Sequence, residues 1–357
     1  MTDVSSTPVS DTTVTRLMIV DDSLYMRMAI RTMVAVHPDI VVVGEAADGD
    51  EAVALEAALS PDVITMDIAM PGTDGIEATR RIAARGGAPV IMLSNLTERG
   101  AEATFLALAA GAVDYIPKSA SALDVDLGAV AADVTAKVRF WSHHRLPTPN
   151  GGRHEPVPLP LPSDRAPDLV LVVSGDGSSQ AVRAVLSGIG TPPVPVVVVQ
   201  EMPTAVTVPF IDFLRRTTGL TVREALPGAP FQPGEVTVLP GGKDIRLLRK
   251  ATGHLSATIA RPSGASVADQ VMISAAGIAD FPVAVILGGR TPCHHGAAAF
   301  KNKGFFVLIQ DRGTCLATAA PDSAAVGGVF PAASPGPLAA TLRALLISPS
   351  PSDRSER

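Results

Sequence analysis

Cysteine is scarce. The 357 residues include two, Cys293 and Cys315, too few for a disulfide framework and consistent with a reducing compartment. Clustered positive charge is missing as well. There are 29 Lys and Arg against 35 Asp and Glu, a formal net charge of −6. With no Lys/Arg block in the chain, neither nucleic acid nor an anionic membrane is expected as a partner. No apolar run approaches the ~20 residues that cross a bilayer. Residues 1–15 are Ser/Thr-rich without the basic and apolar regions of a signal peptide. A soluble, cytoplasmic protein is therefore expected. Hydrophobic residues make up 46% of the chain, ample for two or three domains with real cores.

What is present is alternation. Residues 17–20 form an apolar strand ending on Asp21, Asp22 and Ser23, followed by Met26, Ile30, Met33 and Val34 at helical spacing up to Pro38. A second strand, 40–43, precedes a helix with Ala52, Leu55 and Leu59 on one face. The third strand, 63–66, ends on Asp67. Pro71, Gly72 and Gly75 punctuate its loop before a helix at 76–85. A fourth, 90–93, ends on Ser94 and Asn95, and a helix over 99–110 stops at Gly111. The fifth, 113–116, ends at Pro117 and Lys118, and a last helix is predicted from about Leu123 to Trp141. Such alternation predicts a parallel five-stranded sheet covered on both faces.

In the flavodoxin-like order 2-1-3-4-5, the carboxyl ends of strands 1, 3, 4 and 5 are neighbours. Asp21, Asp22, Asp67, Ser94 and Lys118 then meet in one cleft. Converging carboxylates repel unless a cation compensates, and magnesium takes such a carboxylate set along with phosphate oxygens. Lys118 and Ser94 can grip a phosphoryl group, which leaves Asp67 as a nucleophile able to carry an aspartyl phosphate.

Residues 17–36, 62–82, 91–97 and 114–118 resemble the receiver domain of two-component response regulators. The resemblance implies that Asp67 is the phosphoacceptor. It implies that Asp21, Asp22 and Asp67 hold Mg2+ with the backbone carbonyl of Ala69. Ser94 and Lys118 then grip the phosphoryl group, and Tyr115 is the aromatic that moves with Ser94. A sensor histidine kinase is the implied donor. Ser119 departs from the family, which usually has proline after the lysine.

Prolines 147, 149, 156, 158, 160 and 162 with Gly151 and Gly152 mark an extended linker. Alternation then resumes. Strands are predicted at 169–173, 194–199, 283–287 and 305–309, and helices at about 179–186 and 267–276. Short strands at 236–239, 245–249 and 255–259 read as an antiparallel insertion. Gly175-x-Gly177 after a strand lacks the third glycine of a dinucleotide fingerprint, and the second strand ends on Gln200 instead of an acid, so it reads as a tight turn.

Gln200-x-Met-Pro203, Leu239-Pro-Gly-Gly-Lys243, Arg261-Pro-Ser263, Val285-Ile-Leu-x-Gly289 and Gln310-Asp311 resemble, in order and spacing, the CheB family of chemotaxis receptor methylesterase/deamidases. The expected layout is a disordered tail over 1–15, a flavodoxin-like receiver over 16–141 and a Pro-rich linker over 142–166. A doubly wound α/β methylesterase-like domain over 167–346 and a tail over 347–357 complete it. That family uses a serine nucleophile, a histidine base and an orienting aspartate. Aligned with it, this chain has Asp176, Glu201 and His295 (or His294) at those positions. An acyl-transfer triad needs a nucleophile activated by an imidazole, so the family triad is degenerate. The resulting expectation is a chemotaxis-type response regulator whose second domain is a phosphorylation-controlled interaction module for a chemoreceptor or other signalling protein. Two alternatives stay open. One is a working methylesterase/glutamine deamidase with a shifted nucleophile, Ser174 or Ser178. The other is a metal site built from Asp176, Glu201, His295 and Cys293.

Overall fold

The computed structural model describes residues 14–94, 98–118, 127–144, 158–159, 165–175, 177–326, 328 and 330–347. Residues 1–13 of the expected tail over 1–15, most of the linker, Asp176 and residues 348–357 lie outside the described residues. Contacts divide the chain into two compact units, Met1–Ser94 with Ala110–Pro147, and Asn95–Ala109 with Thr148–Arg357. Among the described residues no helix is long and apolar enough to cross a membrane.

The first sheet comprises β1 (Thr15–Val20), β2 (Ile40–Ala46), β3 (Val63–Asp67), β4 (Val90–Ser94) and β5 (Asp114–Pro117). All pairings are parallel, in the predicted order β2-β1-β3-β4-β5. The helices that alternate with them are α1 (Leu24–Ala35), α2 (Gly49–Leu59), α3 (Gly75–Ala84), α4 (Glu98–Ala110) and α5 (Leu127–His143). Local chemistry sets their starts. Asp48 caps α2 by accepting the Glu51 N–H at 2.9 Å, and Asp74 caps α3 by accepting that of Glu77 at 2.8 Å, each worth about 1 kcal/mol. Leu17, Ile19, Ile91 and Leu93 from the strands pack with Val134, Val138 and Trp141 of α5 in one core. Two of the boundary differences from the sequence reading touch the domain layout. β1 begins at Thr15, whose N–H donates to the Asp39 carbonyl at 2.8 Å, so ladder pairing takes this residue out of the tail. The described part of α5 starts at Leu127 and runs two residues past Trp141, while 123–126 lie outside the described residues.

The second sheet has seven strands in the order β14-β13-β12-β6-β7-β9-β8. They are β6 (Leu169–Ser174), β7 (Val196–Gln200), β8 (Thr221–Glu224), β9 (Glu235–Val238), β12 (Pro282–Ile286), β13 (Phe306–Gln310) and β14 (Ala332–Ala333). Every pairing within it is parallel. The separate hairpin β10 (Ile245–Arg249) and β11 (Leu255–Ile259) is antiparallel, as predicted. Residues 236–239 are not part of that insertion: β9 pairs in parallel with β7 and β8. The reason lies in two elements absent from the sequence reading, α7 (Thr207–Thr218) and β8. Helix α7 buries Phe210, Ile211, Phe213 and Leu214 and ends on Gly219 at φ +70°, carrying the chain back so that β8 and β9 run parallel to β7. The other helices are α6 (Ser179–Ile189), α8 (Val267–Ile278), α9 (His294–Asn302), α10 (Ala319–Val326) and α11 (Pro335–Ile347). Within the linker span, the Leu159 N–H donates to Thr341 Oγ1 of α11 at 2.7 Å.

Candidate functional site

In the first unit the strand order reverses between β1 and β3, where an open parallel sheet forms its ligand crevice. Asp21 lies just past β1 and is fully buried, Asp67 ends β3 at 8% exposure, and Asp22 is exposed. One carboxylate oxygen from each lies within 4.8 Å of the others. Lys118, just past β5, places Nζ 2.9 Å from Asp67 Oδ2 and 2.9 Å from Asp21 Oδ2. The second oxygens are used as well: Asp21 Oδ1 accepts the Ser23 N–H at 2.9 Å and Asp67 Oδ1 its neighbour Ile68 N–H at 2.7 Å. Gly75 lets the loop return over this strand end. Any Cβ there would meet the Asp67 carbonyl oxygen at 1.8 Å.

Burial raises the Asp67 pKa above the ordinary carboxylate value, an effect that Lys118 offsets only in part and that the Asp21 charge reinforces. For Lys118, burial opposes its charge, but the hydrogen bonds to Asp67 and Asp21 outweigh it and raise its pKa. An all-oxygen donor set carrying surplus negative charge suits a hard divalent cation. Ser94 is buried at the end of β4, and its carbonyl accepts the Lys118 N–H at 2.6 Å. Tyr115 sits half-buried on β5 opposite Met92, and Ala69 is exposed two residues past Asp67.

Arg27 is absent from the sequence reading. Its Nη1 donates to the Asp21 carbonyl at 2.7 Å, and its Nε lies 3.2 Å from Glu45 Oε2, tying down the acidic loop. A cation in the first turn of a helix opposes the helix dipole, and that oddity was the available signal.

In the second unit the strand order likewise reverses about β6, between β12 and β7. Ser174 is in register with Gln200, and the Glu201 N–H donates to the Ser174 carbonyl at 2.9 Å. The next residue, Gly175, is the described residue that faces Glu201: a Cβ built on it would stand 3.4 Å from Glu201 Oε2. The Glu201 carboxylate is exposed and accepts the Thr291 hydroxyl. Ser174 Oγ is buried and donates to Gln200 Oε1 at 2.6 Å, and Ser178 Oγ to the Gly175 carbonyl at 2.5 Å. Neither hydroxyl is directed to an imidazole in these bonds. His294 and His295 are exposed in the first turn of α9, their rings 4.0 Å apart. His254 is exposed beside the β10–β11 turn. Cys293 is fully buried, and burial pushes its thiol up to about 12. Among the described residues, the only cluster of at least three metal-ligating side chains is Asp21, Asp22 and Asp67. The metal site drawn from Glu201, His295 and Cys293 is therefore not assembled by those three, and Asp176 lies outside the described residues.

Residues 17–126 match the family described as response regulator receiver domain, and residues 170–341 match CheB methylesterase. The protein-glutamate methylesterase/protein-glutamine glutaminase of Lawsonia intracellularis is 34% identical over 336 residues, covering 88% of this chain and 94% of that protein. The similarly named protein of Nocardioides sp. is 35% identical over 333 residues, covering 88% and 90%. The crystal structure of the Thermotoga maritima CheB methylesterase catalytic domain covers 50% of this chain and 99% of its own, at 26% identity and a TM-score of 0.47.

Proposed function

The chain belongs to the CheB family of protein-glutamate methylesterases with a response-regulator receiver, and from that premise we propose that phosphorylation of Asp67 controls a second domain that works by binding. The observation that carries the receiver half is Lys118 Nζ, held 2.9 Å from both Asp67 and Asp21. A carboxylate oxygen of Asp67 attacks the donor phosphorus. The bond from phosphorus to a kinase histidine nitrogen, or to the leaving oxygen of a small-molecule donor, breaks with its electron pair on the leaving group. Lys118 is in reach to pair with the new phosphoryl oxygens, and the Ser94 hydroxyl is the matching donor. Asp21, Asp22 and Asp67, with the Ala69 carbonyl, would hold Mg2+, which when bound offsets the charge gathered around the transferred group. The upstream partner is a histidine kinase of the chemotaxis type, and the downstream partner a chemoreceptor or another signalling protein.

For the second domain, the reading rests on side-chain chemistry at the β6–β7 strand ends. Gly175 brings no nucleophile to Glu201, and the two nearby serine hydroxyls are committed to other acceptors. The second reading is a working methylesterase or glutamine deamidase with a shifted nucleophile. Relatives at 34–35% identity that are protein-glutamate methylesterase/protein-glutamine glutaminases favour it.

Two experiments test these readings. Phosphate transfer from a histidine kinase or a small-molecule donor with Mg2+ is expected in the wild type, lost in Asp67→Asn and weakened in Asp22→Ala. Undiminished labelling of Asp67→Asn would overturn the receiver assignment. Methanol release from methylated receptor, sensitive to Ser174→Ala or Ser178→Ala, would establish the second reading in place of the first.

A further inference from the structure

Lys137 lies in the middle of α5 with 4% of its surface exposed. Burying an ammonium group costs several kcal/mol unless its donors are matched, so such a position needs a compensating set of partners. The structure supplies that set. Lys137 Nζ donates to the Tyr115 carbonyl, lies 3.3 Å from Asp133 Oδ2 and 3.7 Å from Asp114 Oδ1, and stands 5.3 Å from the Tyr115 ring centroid. Asp114, 3% exposed, accepts the Tyr115 N–H on Oδ1 at 2.7 Å and the Trp141 indole N–H on Oδ2 at 3.2 Å. Both hydrogen-bonding groups of the Tyr115 main chain are thus held by charged side chains. Tyr115 is three residues before Lys118 on the strand that borders β4 and Ser94.

We propose that Lys137 is a positioning residue: with Asp114 it clamps the Tyr115 backbone, so that a change at the Asp67–Lys118 pair is transmitted through β5 to Trp141. The inference rests on the receiver reading given above. Lys118 must exchange carboxylate partners for phosphoryl oxygens when Asp67 is modified. A strand end free to shift would absorb that exchange locally. A strand end whose peptide groups are fixed passes it to the groups that fix it. Trp141 is the only tryptophan in the chain, and its indole N–H is bonded to one of them, so its emission reads the clamp directly.

The test uses the full chain with beryllofluoride and Mg2+ as a phosphoryl mimic, following binding by 19F NMR and Trp141 by fluorescence. In the wild type the bound mimic is expected to change Trp141 emission. In Lys137→Met the mimic is expected to bind while the emission change is lost, and Lys137→Arg, which keeps the charge, is expected to restore part of it. Asp114→Asn keeps the side-chain shape but removes the charge facing Lys137, and is expected to at least halve the response. That arm stands even if Lys137→Met does not fold. A full response with the mimic bound in Lys137→Met, or in Asp114→Asn, overturns the clamp. Failure of the mimic to bind the wild type overturns the receiver reading itself, and the clamp with it.

Discussion

Gly175 and Gly289 meet backbone to backbone: a Cβ on Gly175 would come within 2.8 Å of the Gly289 Cα. The contact joins the loops after β6 and β12, and a 2.9 Å hydrogen bond from the Gly175 N–H to the Gly288 carbonyl seals it. A side chain at position 175 would have to push two strand ends apart.

Gly175→Ser is therefore expected to destabilise the second domain by about 1–3 kcal/mol, the usual cost of overpacking. Urea unfolding of the full chain measures this. Combining it with Glu201→His is expected to leave methyl-ester hydrolysis at background, because the serine side chain would be displaced by the Gly289 backbone 2.8 Å from its Cβ. Unchanged stability in Gly175→Ser would show that the loops yield without cost.

Asp67 sets a pH dependence of stability. Its folded pKa is raised above the ordinary value of 3.8 by burial first and by the Asp21 charge, so folding favours its protonated form. The stability this residue adds relative to Asp67→Asn is present below about pH 3.8 and is lost as pH rises through the folded pKa. Without metal at neutral pH, Asp67→Asn is expected to unfold at higher urea than the wild type. Magnesium at about 100 times its Kd should then stabilise the wild type by about 2.7 kcal/mol and the variant by less. A less stable Asp67→Asn at neutral pH without metal would contradict the charge assignment.

The two thiols should be inert in the native chain. Burial pushes Cys293 and Cys315 up to about 12, against the lowering effect of the Ser323 hydrogen bond on Cys293, and only the thiolate reacts. A thiol reagent at mildly alkaline pH is expected to label neither residue until denaturant is added. Rapid labelling of Cys293 in the folded protein would mean that its loop opens.

The receiver cleft was legible because its residues interrupt apolar strands. Asp67 closes the fully buried Val63–Asp67 run and Lys118 follows the short β5, so each polar residue marks a strand end, and strand order does the rest. Gly175 was not legible, since a glycine carries no chemistry of its own. Its place opposite Glu201 emerges only from the Ser174–Gln200 register. Helix α7 was missed because Pro209 and β-branched threonines obscure the 3.6-residue pattern of Phe210, Phe213 and Leu214. Without that helix the parallel pairing of β9 could not be seen. Arg27 escaped because an arginine in a helix reads as solvated surface until its carbonyl partners are known.

The most direct measurement is to locate the phosphate. The wild-type chain is treated with a small-molecule phosphodonor and Mg2+, then with borohydride, which reduces an aspartyl phosphate to homoserine, and its peptides are mass-mapped. Homoserine at position 67, absent from the Asp67→Asn protein and from samples without donor, is the expected result. Homoserine at another aspartate with position 67 unmodified would contradict the assignment of Asp67 as the acceptor.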